Sequence, residues 1–146
     1  MHFTRRSEYA VHSLFYLALR SADEPVLLQE LAADQHLSPS YLAKVMQRLA
    51  GAGLVRAYVG GNGGYTLARS AREITFADAV RAVEGQAGLF NCLQQQRRCI
   101  AGPGCEIQKV FQEAEQEMMH RLEQTTIQDL VDLLFRRKLR LKWLGQ

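Results

Sequence analysis

Apolar side chains recur along the chain at two different spacings, which divide it into helical and strand-like segments. Helical spacing predicts helices over residues 4–20, 28–35, 38–50, 75–84, 106–124 and from 126 onwards. Between the third and fourth of these helices the period changes, and β-branched and aromatic residues predict two short strands, over 54–59 and 65–68. The predicted fold class is therefore mainly α with a small β wing.

Capping residues and glycines mark the ends of several of these elements. Ser38 is a typical N-cap and is followed by Pro39, which suits the first position of a helix. Thr75 stands three residues before Asp78, so the pair predicts another helix start. Residues 60–64 read Gly-Gly-Asn-Gly-Gly, and because glycine tolerates positive φ they predict the turn of a hairpin.

Three helices followed by a glycine-tipped hairpin are typical of a winged helix-turn-helix that binds double-stranded DNA. In this fold the third helix lies in the major groove, where amide and hydroxyl side chains contact base edges and cations contact phosphates. Glycines at the hairpin tip allow a close approach to the sugar–phosphate backbone. The residues expected at DNA are Arg5, Arg6, Ser38, Ser40, Tyr41, Lys44, Gln47, Arg48, Gly61, Asn62 and Gly63.

Composition and charge agree with a DNA-binding domain but do not establish one. Hydrophobic residues make up 47% and charged residues 23%, a balance that argues against disorder. No apolar run is long enough to span a bilayer, and the N-terminus lacks a signal peptide, so we expect a cytoplasmic protein. The net charge is +3, and this surplus lies in residues 1–72, with eight basic and five acidic side chains.

The three cysteines, Cys92, Cys99 and Cys105, fall in a segment without periodic pattern. Their spacing does not match a zinc finger, but three thiolates so close together suit a soft metal site such as an iron–sulfur cluster. Three thiolates leave one position open on a four-iron cluster. Glu8 and His12 share a helix face and are the candidates for that position. Buried or merely reactive thiols are the alternative.

The ordered set of motifs resembles the Rrf2 family of bacterial transcription regulators over about residues 1–135. The motifs that carry the resemblance, besides the spaced cysteines, are residues 9–11 (YAV), 37–42 (LSPSYL), 49–55 (LAGAGLV), 63–67 (GGYTL) and 126–131 (TIQDLV). The resemblance implies a homodimer joined through residues 106–124. It also implies a cluster held by the three cysteines and completed by an acidic residue near position 8 of the partner subunit, here Glu8.

Four positions bear on how closely this chain follows that family. Other members have a histidine where this chain has Gln108, which favours Glu8 as the additional ligand. Some members use residues like Glu8 and His12 together on a two-iron cluster, but we favour the four-iron form here. Many members have an arginine before the wing, whereas this chain has Val59, so a weaker wing contact or a different target sequence is expected.

The sequence therefore predicts a homodimeric regulator whose operator binding depends on a cluster that senses redox state, iron or nitric oxide. Its predicted parts are a DNA-binding domain, a cluster loop, dimerisation helices and a basic tail, over residues 1–85, 86–105, 106–135 and 136–146. A metal-free regulator, switched by cysteine oxidation or by a protein partner, is the alternative. An enzyme is not expected, since the sequence has neither a phosphate-binding loop nor a catalytic triad, and no small-molecule substrate is predicted.

Overall fold

A computed structural model describes residues 3–85, 88 and 104–137 of the chain. Its elements are α1 (Arg5–Ala18), α2 (Leu28–Asp34), α3 (Pro39–Gly51), β1 (Val55–Tyr58), β2 (Gly64–Leu67), α4 (Phe76–Glu84), α5 (Glu106–Glu123) and α6 (Ile127–Arg137). The predicted fold class is confirmed, with each expected helix and strand in place. Cys92, Cys99, most of the predicted cluster loop and most of the basic tail lie outside the described residues.

The polar residues expected at the helix starts make the predicted hydrogen bonds. The Ser38 hydroxyl accepts from the amide of Tyr41 at 3.3 Å and so caps α3. Thr75 and Asp78 form a reciprocal capping box at the start of α4. At the other end of α3, Gly53 takes φ +71°, a conformation that favours glycine and turns the chain towards β1.

The hydrophobic core is built around α1, which packs against α3, α4 and α6. Leu14 on α1 is fully buried together with Leu42, Met46 and Leu49 of α3 and Val83 of α4. Burial of such side chains is the main favourable contribution to folding.

The last helix belongs to this same core. Ile127 is fully buried and Val131 nearly so. The start of α6 is fixed to the residues before α4, because the amide of Ile127 donates to the carbonyl of Ile74 at 2.9 Å. An Arg81–Glu123 ion pair joins α4 to the end of α5. Close contacts therefore join residues on either side of residue 85, the predicted end of the DNA-binding domain.

The wing is a two-stranded antiparallel sheet in which Val55 pairs with Leu67 and Tyr58 with Gly64. A third segment extends it, since Val26 and Tyr65 exchange two backbone hydrogen bonds of 2.9 Å. Gly64 lies against this bridge at φ +143°. A Cβ atom at Gly64 would lie 2.4 Å from the carbonyl oxygen of Val26, so only glycine fits there. The wing is thereby attached to the chain just before α2.

Among the described residues, none of the helices combines the length and the apolar character needed to cross a membrane.

Candidate nucleic-acid interface and cofactor residues

The predicted DNA-reading face of α3 is exposed along its length. Leu42, Val45, Met46 and Leu49 are turned into the core. The opposite face presents the predicted contact residues Ser40, Tyr41, Lys44, Gln47 and Arg48, all of which are exposed. This division follows from helical periodicity and leaves hydroxyl, amide and cationic groups on one surface.

Two of the predicted DNA residues also have a structural role at the start of α3. Ser38 caps the helix, and its hydroxyl lies 3.4 Å from that of Ser40. The ring of Tyr41 packs edge-on against Tyr9 of α1, with 5.8 Å between ring centroids. Such aromatic pairs are favourable beyond the area they bury, so this contact fixes the start of α3 relative to α1.

Arg48 contacts another helix rather than standing free. Its Nη1 atom donates to the carbonyl oxygen of Val83, in the last turn of α4, at 2.9 Å. The carbonyl end of a helix carries partial negative charge, which favours a guanidinium there. We predicted Arg48 as a phosphate contact from its position on α3 alone, and the bond to α4 was not visible in the sequence.

The wing presents a small tip, at which Gly61 and Asn62, two of the residues predicted to contact DNA, are exposed. Gly63 is buried inside the turn, where its amide donates to the carbonyl of Gly60 at 2.9 Å. A Cβ atom at Gly63 would lie 2.5 Å from the carbonyl oxygen of Tyr58. Gly63 therefore shapes the tip, while Gly61 and Asn62 are displayed at it. Val59 is fully exposed beside them.

The start of α1, where Arg5 and Arg6 lie, is held by a carboxylate of α4. Oε1 of Glu84 accepts from the amide of Thr4 at 2.9 Å, from the Thr4 hydroxyl at 2.6 Å and from the Ser7 hydroxyl at 2.8 Å. Partial burial raises the pKa of Glu84, but the hydrogen bonds from Thr4 and Ser7 outweigh it and hold that pKa below its ordinary value of 4.5. The sequence did not indicate a role for Glu84, because it lies in no recognisable motif and its partners are far away in the chain.

A second polar cluster joins α1 to α2. The buried Tyr16 hydroxyl donates to the Glu30 carboxylate at 2.5 Å, and Arg20 donates to the Tyr16 hydroxyl at 2.6 Å. Burial, reinforced by the hydrogen bond to Glu30, raises the pKa of Tyr16 to about 12. The phenol thus stays protonated over the physiological range and ties the two helices together.

Of the predicted cofactor ligands, three lie in the described residues. Glu8 and His12 are both exposed on α1, one turn apart. Within the described part of the chain, the Glu8 carboxylate makes no hydrogen bond or ion pair. Cys105 has a free, partly exposed thiol immediately before α5. The described residues contain no cluster of three metal-ligating side chains, and Cys92 and Cys99 lie outside them.

Comparison with known proteins decides which family has this arrangement. The family model Rrf2, described as an iron-dependent transcriptional regulator, matches residues 3–133. The chain belongs to the Rrf2 family. Its members are transcriptional regulators rather than enzymes, as expected, and they bind DNA. The resemblance to this family that the sequence motifs indicated is therefore confirmed.

The relatives of this Rrf2-family chain include regulators with different names. The HTH-type transcriptional regulator NsrR of Shouchella clausii is 32% identical, and the alignment covers 90% of this chain and 89% of the relative. The structure of T. potens IscR matches with a TM-score of 0.75 at 25% identity, covering 100% of this chain and 97% of the other. The oxidised form of Staphylococcus aureus CymR matches with a TM-score of 0.72 at 25% identity, over 89% and 95% of the two chains.

Proposed function

We propose that this Rrf2-family regulator is a cytoplasmic homodimer whose binding to an operator is controlled by an iron–sulfur cluster. The observation that carries the proposal concerns two predicted ligands: the Glu8 carboxylate is exposed and makes no hydrogen bond or ion pair with the described residues, and the Cys105 thiol is free and partly exposed. The iron-dependent description of the matching family and the two further cysteines support it.

A homodimer is supported by the surface of α5. The helix has 18 residues, about 27 Å of length, and none of its side chains is buried by the described part of the chain. Ile107 is 64% and Val110 60% exposed on it. These apolar side chains recur at helical spacing with Phe111, so they form a stripe that a second copy of the same helix would cover. A second copy of this chain is the favoured occupant of the stripe, because the resemblance to the Rrf2 family implies a homodimer joined through this helix, residues 106–124.

The proposed cluster is held by Cys92, Cys99 and Cys105, with Glu8 of the other subunit, or His12, as the additional ligand. Thiolates and a carboxylate form a donor set that suits iron. When bound, the cluster would supply an iron centre that reacts with oxidants or nitric oxide and depends on iron supply. The exposed Glu8 carboxylate would bind it as a weak, displaceable ligand, which suits a sensor. A four-iron cluster fits three thiolates and one carboxylate.

Anaerobic purification of the full chain tests the proposal. We expect visible absorption together with bound iron and acid-labile sulfide, and we expect Cys99→Ala to lose all three. Glu8→Ala should lose the cluster in air faster than Glu24→Ala, which removes another exposed carboxylate. Retention of full cluster content and of effector-responsive DNA binding by Cys99→Ala would refute the cluster model.

The second candidate is a metal-free regulator of the same fold, switched by cysteine oxidation or by a protein partner. It is favoured by the likeness to CymR, one structure of which is of an oxidised form. Colourless protein after anaerobic purification, with DNA binding that responds to oxidant and reductant, would select the oxidation switch. Colourless protein with DNA binding unaffected by either reagent would leave control by a partner.

A further inference from the structure

The last two residues of α4, Val83 and Glu84, contact two of the three elements predicted to meet DNA, the recognition helix and the start of α1. Val83 accepts a hydrogen bond from Arg48 of the recognition helix α3. Glu84 accepts three hydrogen bonds from Thr4 and Ser7 at the start of α1. We call this pair of residues the α4 junction. We propose that the α4 junction sets the position of α3 and of the start of α1 for operator binding, with Arg48 and Glu84 as positioning residues.

The contact to α3 uses a charged group that its position alone would assign to DNA. Arg48 lies one turn beyond Lys44, on the same exposed face. Its guanidinium is nevertheless bonded to a main-chain oxygen of another helix, at a terminus whose partial charge attracts a cation. The bond therefore fixes the C-terminal half of α3, while Ser38 and the Tyr9–Tyr41 pair fix its beginning.

The contact to α1 converges on a single carboxylate oxygen. The amide of Thr4 is one of the groups at a helix start that lack a partner within the helix, and Glu84 supplies one. A negative charge at this end is also favoured by the helix dipole. Because Arg5 and Arg6 follow Thr4 directly, the same bonds determine where these two cations lie.

These roles differ from simple charge contacts in a measurable way. A cation that only contacts phosphate strengthens binding to all DNA sequences equally and raises the salt dependence. A residue that positions a recognition helix changes the ratio between specific and non-specific binding. Removing an acidic residue that acts only through long-range electrostatics tightens DNA binding, whereas removing a positioning carboxylate weakens it. The proposal rests on DNA binding and is independent of whether a cluster is present.

The first experiment uses a duplex selected by the wild-type full chain from a randomised library and a scrambled duplex of the same composition. We expect Arg48→Gln to weaken binding to the selected duplex about three- to tenfold while affecting the scrambled duplex little. Lys44→Gln, the matched control, should weaken both equally and lower the slope of log affinity against log salt by about 0.9. If Arg48→Gln behaves like Lys44→Gln, the proposal is wrong for Arg48.

The second experiment compares carboxylate variants on the selected duplex. We expect Glu84→Ala to bind more weakly than wild type and Glu84→Gln, which keeps an accepting oxygen, to be intermediate. The matched control Glu73→Ala removes an exposed carboxylate and should bind as tightly as wild type or more tightly. Thermal melts verify that each variant is folded at the assay temperature. Equal or tighter binding by Glu84→Ala would overturn the role of Glu84, and failure of the wild type to select any duplex would contradict DNA binding itself.

Discussion

At the scale of single residues, the backbone conformation depends on a few positions where there is no room for a Cβ atom. Gly64 is the clearest, because its φ is +143° and the carbonyl of Val26 occupies the space of a Cβ. The adjacent Val26–Tyr65 bridge holds the wing to the segment before α2. The sequence showed a glycine-rich turn but could not show which glycine lies against another part of the chain.

Gly64→Ala should therefore destabilise the protein by about 2 kcal/mol or more, because both the backbone and the Val26 contact must shift. Urea unfolding followed by circular dichroism measures the change. Gly61→Ala is the matched control in the same turn, since a Cβ atom added there would meet no other atom within 4 Å and its φ is not in the left-handed region. A Gly64→Ala variant as stable as Gly61→Ala would contradict this account.

The lowered pKa of Glu84 makes a prediction about stability against pH. Its pKa in the folded protein lies below the ordinary value of 4.5. The ionised carboxylate therefore stabilises the fold fully at pH values above the pKa of the unfolded chain. This contribution is lost as the pH falls through the folded-state pKa. The difference in unfolding free energy between wild type and Glu84→Gln should thus be constant near neutral pH and shrink below about pH 4.5. A difference that stays constant or grows in acid would exclude this role of the carboxylate.

At the scale of elements, the start of α3 separates structural from DNA-contact roles. Ser38 and Ser40 are two residues apart and both were predicted at DNA, yet only Ser38 accepts a backbone amide of the helix. The sequence correctly predicted the cap. It could not rank the two hydroxyls as DNA contacts, because a capping hydroxyl accepts one hydrogen bond and can still donate its own proton.

Ser38→Ala should lower stability by about 1 kcal/mol, the usual effect of losing an N-cap, whereas Ser40→Ala should leave stability nearly unchanged. Thermal unfolding of the two variants side by side measures this. In DNA titrations at a temperature where both are folded, Ser40→Ala should weaken binding if its hydroxyl contacts DNA. Equal destabilisation by the two substitutions would contradict the assignment of Ser38, rather than Ser40, as the stabilising N-cap of α3.

At the scale of the whole molecule, the two C-terminal helices have opposite environments. α6 is fixed in the core of the DNA-binding part through Ile127 and Val131, while no side chain of α5 is buried against residues 3–85 or the other described segments. Both fall almost entirely in the predicted dimerisation segment, residues 106–135, although the resemblance implied a dimer contact only through residues 106–124. An apolar stripe is the same whether it faces the chain's own core or a second copy, so periodicity alone does not separate the two cases.

Val110→Glu places a charge in the exposed stripe of α5 and should convert the proposed dimer to a monomer with little loss of monomer stability. Sedimentation velocity measures the mass of the particle. Gln112→Glu, which adds the same charge on the other side of the same helix, should remain dimeric. A wild-type protein that sediments as a monomer would rule out the homodimer.

The sequence by itself determined the order and ends of the helices and strands, the exposed face of α3, the turn of the wing and the family. These features depend on side-chain spacing and on capping groups a few residues apart, which are local properties. Only the tertiary structure decided that Arg48 and Glu84 are bonded through the end of α4, that Gly64 lies against Val26 and that α6 joins the core. Each of these contacts joins residues far apart in the chain, so no local pattern encodes it.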